Sequence, residues 1–456
     1  MRTKFILISI TFLFSNVLLA QDTDSLMIKK IADDVMLNGK AYDNLRFICK
    51  KIGPRLSGSS NAQKAVEATA VMLKNAGADT VYMQACMVPH WVRGANETGF
   101  ILQKNGVKKQ LHLCALGNST GTGKKGINAE IIEVKNFKEL DLLGKENIKG
   151  KIVFFNFPMN PTYIQSFKAY GESGTYRVKG PSKAAQYGAV AVMIRSLASN
   201  PDDFPHTGVT IYNDSFPKIP AVAISTNDAI WLEQEIAKNK MSAFLQTNCK
   251  MLEDVQSFNV VGEIKGSEFP EQIITVGGHL DSWDLAEGAQ DDGAGIVQSI
   301  EVLRVFKATG IKPKRTIRAV MFMNEENGGK GSKKYLELAK EKKEQHLFAL
   351  ESDAGGFTPR GFSFDVDQKK FEKILEWKNL FFNYGVYNFS KGGSGADIGG
   401  LKEIGATVAG LSTDSQRYFD VHHAASDVFE NVSRRELHLG ALNMAALIYM
   451  VDKYGL

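Results

Sequence analysis

From Gln256 to the C-terminus the chain alternates short apolar runs with stretches of helical periodicity, and the apolar runs stop at glycines and at carboxylate or imidazole side chains. The runs are FNVVGEIKG, QIITVGGHLDS, RTIRAVMFMNEE and HLFALESDAGG; the helical stretches are GAGIVQSIEVLRVFKATG, SKKYLELAK and the closing RRELHLGALNMAALIYMVDKY. Strands this uniformly apolar are covered on both faces, so the pattern predicts an α/β fold with a mixed, mostly parallel central sheet sandwiched by helices. Ligands of such sheets gather beyond the carboxyl ends of the strands. That is where GGHLDSWD (277–284), GAQDDGAG (288–295), NEENGG (324–329) and ESDAGG (351–356) fall, and a fifth motif, DVHHAASD (420–427), follows in a loop.

The rest of the chain reads in blocks. With 456 residues, 44% of them hydrophobic, there is room for two domains. In residues 1–20, Arg2 and Lys4 precede FILISITFLF and the segment closes with VLLA. This reads as a secretory signal peptide cleaved after Ala20, predicting a secreted or periplasmic protein with no membrane association after cleavage. Residues 21–122 read as the first part of one domain: helices ending at Gly53-Pro54, a serine-capped helix over SGSSNAQKAVEATAVMLKNAGA, and the alternating stretches DTVYMQACMV and TGFILQKNGVKKQLHL, with Asn105-Gly106 as a hairpin turn. GNSTGTGKKG (117–126) marks a crossing into an α/β insert, residues 123–253, whose polar stretches Tyr163 to Arg177 and Ser199 to Phe216 read as loop. Residues 254–456 complete the first domain and carry the motifs.

The 55 basic and 50 acidic residues are dispersed, which argues against a nucleic-acid partner. Cys49, Cys86, Cys114 and Cys249 contain no Cys-x-x-Cys pair, and their pairing stays open. Sequons at Asn96, Asn118, Asn213, Asn388 and Asn431 matter only in a glycosylating host.

The motifs supply a mixed oxygen and imidazole donor set. His279 ends a strand, and Asp281 is placed to orient its imidazole through the far ring nitrogen. Asp291, in a glycine-flanked loop before a helix, is placed to bridge two cations, while Asp292 also reads as a helix cap. Glu325 and Glu326 are adjacent acids at a strand end, costly to bury without a cation. On an extended backbone they point to opposite sides, one to ligate and one to act as general base. Asp353 repeats the strand-end carboxylate, and His422 and His423 complete a set that suits zinc, with cobalt or manganese as alternatives.

These five segments resemble the co-catalytic di-zinc aminopeptidase and glutamate carboxypeptidase family of metallopeptidases, with its patterns H-x-D, G-A-x-D-D/N/P, E-E-x-G-x-x-G-S, a strand-end Asp and H-x-x-x-D. PRLSGS (54–59) is also similar, and GKIVFF with AAQYGAVAVMI resembles the protease-associated domain that some members carry as an insert. The resemblance implies a zinc exopeptidase fold of the phosphorylase/hydrolase type and two zinc ions per chain, one held by His279, Asp291 and Asp353, the other by Asp291, Glu326 and His423. It also implies Glu325 as general base, a cis peptide between Asp291 and Asp292, a short peptide substrate and a homodimer. Many relatives have tyrosine where this chain has His422, so the oxyanion donor is open between His422, Tyr418 and the GGSGAD loop. Ser394 and Asp397 in SKGGSGADIGG (390–400) are the candidate substrate contacts. Side-chain preference, and a choice among carboxypeptidase, dipeptidase and aminopeptidase, are not legible. Two other functions fit the same fold: a one-zinc glutaminyl cyclase and a non-catalytic receptor-like binding protein, the latter disfavoured because every ligand position and the base are present.

Overall fold

The computed structural model describes residues 23–95, 97–103 and 106–456. The leader segment, the sequon at Asn96 and Asn105 of the expected hairpin turn lie outside them. Two eight-stranded sheets organise the chain. The first is built from Thr80–Val92 (β1), Lys250–Ile264 (β2), Phe269–His279 (β3), Arg315–Phe322 (β4), Gln345–Glu351 (β5), Pro359–Asp365 (β6), Asn388–Lys391 (β7) and Thr407–Thr413 (β8), in the order β1-β2-β4-β3-β5-β8-β6-β7. Its centre, β4-β3-β5-β8, is parallel, and antiparallel pairs flank it.

The period of two along each central strand explains why both faces are covered. In β4, Ile317, Ala319 and Met321 join the large core beneath helices 23–38, Ser60–Asn75, Ala294–Thr309 and Arg434–Tyr454, while Val320 and Phe322 face the helix Lys330–Glu341. Val276 and Leu350 join the first core and Ala349 and Val408 the second. This is the mixed, mostly parallel sandwich expected from the uniformly apolar runs.

The second sheet begins earlier than the expected insert boundary at residue 123. Thr98–Leu102 pairs with Ser242–Gln246, and Leu113–Ala115 pairs with Ala221–Ile224, so the stretch assigned to the opening domain belongs to the second sheet. Phe100 stacks on Phe244 at 5.0 Å across that pairing, a long-range contact that local alternation does not reveal. The polar stretch expected to be loop is a helix, Ser166–Gln186, despite Gly171, Gly174, Gly180 and Pro181. Its buried residues Ala169, Ser173, Arg177, Gly180 and Ala184 recur every three or four positions, so packing of a small-residue face overrides poor propensity. Arg93 at the end of β1 ties the sheets together, pairing with Asp284 at 2.7 Å and donating to the Ala115 carbonyl at 2.7 Å. All four cysteines are buried and unpaired, and no helix among the described residues is long and apolar enough to cross a membrane.

Candidate metal centre

Three parallel strands and two loops deliver the site. His279 is the last residue of β3, Asn324 to Glu326 follow β4, and Asp353 follows β5. Asp291 precedes the helix Ala294–Thr309, and the Asp291-Asp292 peptide is cis. Asp292 joins strand to helix, accepting the His279 N–H at 3.0 Å and the Gly295 N–H at 2.9 Å. Gly295 is required there, because a Cβ would lie 1.8 Å from the Ser352 carbonyl oxygen beside the Asp353 loop. Glu325 and Glu326 are not on extended backbone as expected. Asn324 turns the chain with φ of 73°, and both acids sit in the turn that follows. His423 also adopts a positive φ, 62°, a rare conformation for a residue with a side chain and a frequent companion of functional sites.

The side chains converge on Asp291. One of its oxygens lies 3.0 Å from His279 Nε2, which is also 3.6 Å from Asp353. Its other oxygen lies 3.2 Å from His423 Nε2, which is 3.1 Å from Glu326. Two imidazole and carboxylate groups thus share one aspartate. Glu326 Oε1 is buried and has no hydrogen-bond partner, a vacant donor atom in a cluster whose oxygen and nitrogen chemistry fits zinc. His422 stacks on His423, ring centroids 3.5 Å apart, and its Nε2 is 3.5 Å from Asp291, so Asp291, His422 and His423 also lie within ligating reach of one another.

Burial opposes charge throughout the cluster, and neighbours decide the outcome. Against burial, Asp291 and Asp353 hold His279 well above the ordinary imidazole range, and His279 and His423 hold Asp291 well below the carboxylate range. Glu326 is pushed up to about 7 by burial and by Asp291. Burial, with Asp353 and Glu326, raises Glu325 well above the usual range. His422 is held well below the imidazole range by burial and by His423, so its ring is neutral.

His279, Asp291, Glu325, Glu326, Asp353, His422 and His423 all line one open cavity of about 210 Å³. Asp281 stands behind it and differs from expectation in one atom. His279 Nδ1 meets the Asp281 main-chain carbonyl at 3.0 Å, while the carboxylate, 3.9 Å away, accepts the N–H groups of Asn324 and Glu325 at 2.7 and 3.0 Å. Asp281 therefore fixes the turn carrying the two glutamates. Ser394 and Asp397 do not line the cavity: the Ser394 main chain packs on Gly410 of β8, and buried Asp397 donates its N–H to Glu351 at 3.1 Å. Asp427 accepts the N–H groups of Gln290 and Asp291 at 2.8 and 3.1 Å and so holds the Asp291 loop. The residues that sequence reasoning missed are Phe167, Tyr170 and Arg177, which line the cavity from the helix mistaken for a loop. Their only local signal was the three-to-four spacing of small and buried positions.

A parallel-centred α/β sheet with acids and imidazoles gathered beyond its carboxyl ends defines the class of α/β metallopeptidases. Residues 259–448 match the model of peptidase family M28. Carboxypeptidase Q of Bos taurus is 36% identical over 413 residues, covering 90% of this chain and 85% of the relative, and carboxypeptidase Q of Homo sapiens is equally similar over the same lengths. The crystal structure of a peptidase M28 precursor from Shewanella amazonensis superposes with a TM-score of 0.90 at 29% identity, covering 94% of this chain and 97% of that one. The chain belongs to peptidase family M28.

Proposed function

We propose that this protein is a secreted or periplasmic exopeptidase that holds two zinc ions and hydrolyses dipeptides or short peptides. The observation that carries the proposal is the sharing of Asp291: His279 meets one of its oxygens and is itself near Asp353, while His423 meets the other and is itself near Glu326. Those five residues would hold the metals. Bound zinc would supply Lewis acidity, polarising the scissile carbonyl and acidifying a water. The strand-end histidine is kept in one orientation by the Asp281 carbonyl, and the Asp427 carboxylate keeps the shared aspartate in place. Glu325, with its raised carboxyl pKa, takes a proton from the attacking water and returns it to the leaving amine. Neutral His422, whose Nδ1 has no partner, can donate a hydrogen bond to the carbonyl oxygen as negative charge develops there. The second sheet serves as a protease-associated insert, and its helix Ser166–Gln186 walls the cavity.

The name carboxypeptidase Q borne by relatives and the leader-like residues 1–20 support export and exopeptidase action. The test is metal removal. Chelation should abolish dipeptide hydrolysis and zinc should restore it; undiminished activity of the metal-free chain contradicts the proposal. Two zinc ions per chain together with peptide hydrolysis would exclude the competing reading, a one-zinc glutaminyl cyclase.

A further inference from the structure

Each of the two imidazoles that meet the Asp291 oxygens at 3.0 and 3.2 Å is oriented from behind by a main-chain carbonyl, and the two carbonyls come from different sheets. His279 Nδ1 meets the Asp281 carbonyl, two residues along its own loop, at 3.0 Å. His423 Nδ1 meets the Thr207 carbonyl at 3.3 Å, from a loop of the second sheet between its strands Ala191–Arg195 and Ala221–Ile224. A carbonyl only accepts, so Nδ1 donates its proton there and Nε2 is the nitrogen turned to Asp291 and Glu326, offered to a metal. Thr207 closes a second bond, its N–H donating to the His423 carbonyl at 2.9 Å. His423 stands at φ of 62°, a conformation that persists only where the surroundings over-determine it, and this pair of bonds does so.

The clasp belongs to the second sheet. Thr207 is fully buried, and its Oγ1 donates to the Ala115 carbonyl at 3.0 Å. On one side the His206 N–H donates to Ser196 Oγ at 2.8 Å; on the other the Gly208 carbonyl accepts the Gly117 N–H at 3.0 Å. Gly208 has φ of 139°, and a Cβ there would lie 2.3 Å from Arg177 Cζ, so a side chain at 208 would push the Thr207-Gly208 peptide out of place. His279, Glu326 and Asp353, in contrast, stand at the ends of β3, β4 and β5 in the first sheet.

We infer that Thr207 is a positioning residue for His423, so that a metal held by Asp291, Glu326 and His423 depends on how the second sheet docks, while one held by His279, Asp291 and Asp353 does not. The inference rests on the two-metal reading and deepens it by making the two sites unequal.

The metal-free full chain and its variants are titrated with zinc in competition with a chelating dye, and the ions are located by anomalous scattering from crystals grown with limiting zinc. In Gly208→Ala one binding step should weaken about 10- to 100-fold, the usual effect of disturbing an outer partner of a ligand, while the other stays within twofold. The ion that is lost should be the one beside His423. Thr207→Val, which keeps the shape and deletes the hydroxyl anchor, should weaken the same step about 2- to 10-fold, and Thr207→Ser, which restores the anchor, should return it to the wild-type value. Urea unfolding of the metal-free variants separates this from a general loss of fold, which would weaken both steps. Equal weakening of both steps, unchanged affinity in both Gly208→Ala and Thr207→Val, or loss of the ion beside His279 instead would overturn the inference. A wild-type chain that takes a single zinc at His423, weakened by the same substitutions, would support Thr207 and sink the two-zinc reading; zinc bound away from His423 would overturn both.

Discussion

Replacing Asp427 by asparagine changes almost nothing in size and removes one acceptor from the loop that carries Asp291. The carboxylate is 2% exposed and receives two main-chain donors, Gln290 N–H on one oxygen and Asp291 N–H on the other. Asparagine offers one oxygen, and its amide NH₂ must face the second N–H. One charge-assisted bond is lost, worth about 1.5–3 kcal/mol, and one buried donor is left unsatisfied at about 1–3 kcal/mol; together the cost is about 2.5–6 kcal/mol. Because the freed donor belongs to Asp291, which both imidazole groups share, zinc affinity should fall about 10- to 100-fold, the usual effect of losing an outer partner of a ligand. Denaturant unfolding of the metal-free chain measures the first quantity, and competition for zinc against a chelating dye measures the second. An Asp427→Asn protein with the wild-type unfolding midpoint and zinc affinity within twofold would refute the reasoning.

Glu325→Gln should lower kcat by about 10²- to 10⁴-fold while zinc content stays at the wild-type level, measured by dipeptide hydrolysis and metal analysis; wild-type turnover would remove Glu325 as the base. Arg93→Ala breaks a part-buried pair with Asp284 and a tie between the sheets, and should cost about 1.5–3 kcal/mol in denaturant unfolding; a change below about 0.5 kcal/mol would contradict this. His438 is pushed down to about 4 by burial and by Arg434, below its unfolded value, so its stabilising contribution is complete above about pH 6.5 and is lost as pH falls toward 4. His438→Gln should therefore lose less stability than the wild type between pH 7 and pH 5 in urea unfolding, and parallel losses would refute the assignment.

What was legible in the sequence follows from how local each feature is. The central sheet announced itself because β3, β4 and β5 are mostly apolar toward their carboxyl ends, and glycine and acid motifs mark those ends. His279, Glu326 and Asp353 sit near one another because parallel neighbours bring their carboxyl ends together, a consequence of topology that spacing alone anticipates. The orientation of Asp281 was not legible: whether its carbonyl or its carboxylate meets His279 depends on the turn made by Asn324. The membership of Thr98–Ala115 was hidden for another reason. Alternation marks a strand but not its partner, and that partner, Ser242–Gln246, lies more than a hundred residues away. Arg177 was lost because glycines and a proline lower helix propensity, while the packing that overrides them is tertiary.

Asp291 is proposed to serve two metals. The most direct measurement is anomalous scattering from crystals of the zinc-loaded chain, with zinc counted in the same preparation. Two zinc ions per chain are expected, one between Asp291, His279 and Asp353 and one between Asp291, Glu326 and His423. A single ion in a preparation fully active on dipeptides, or zinc bound away from Asp291, would contradict this.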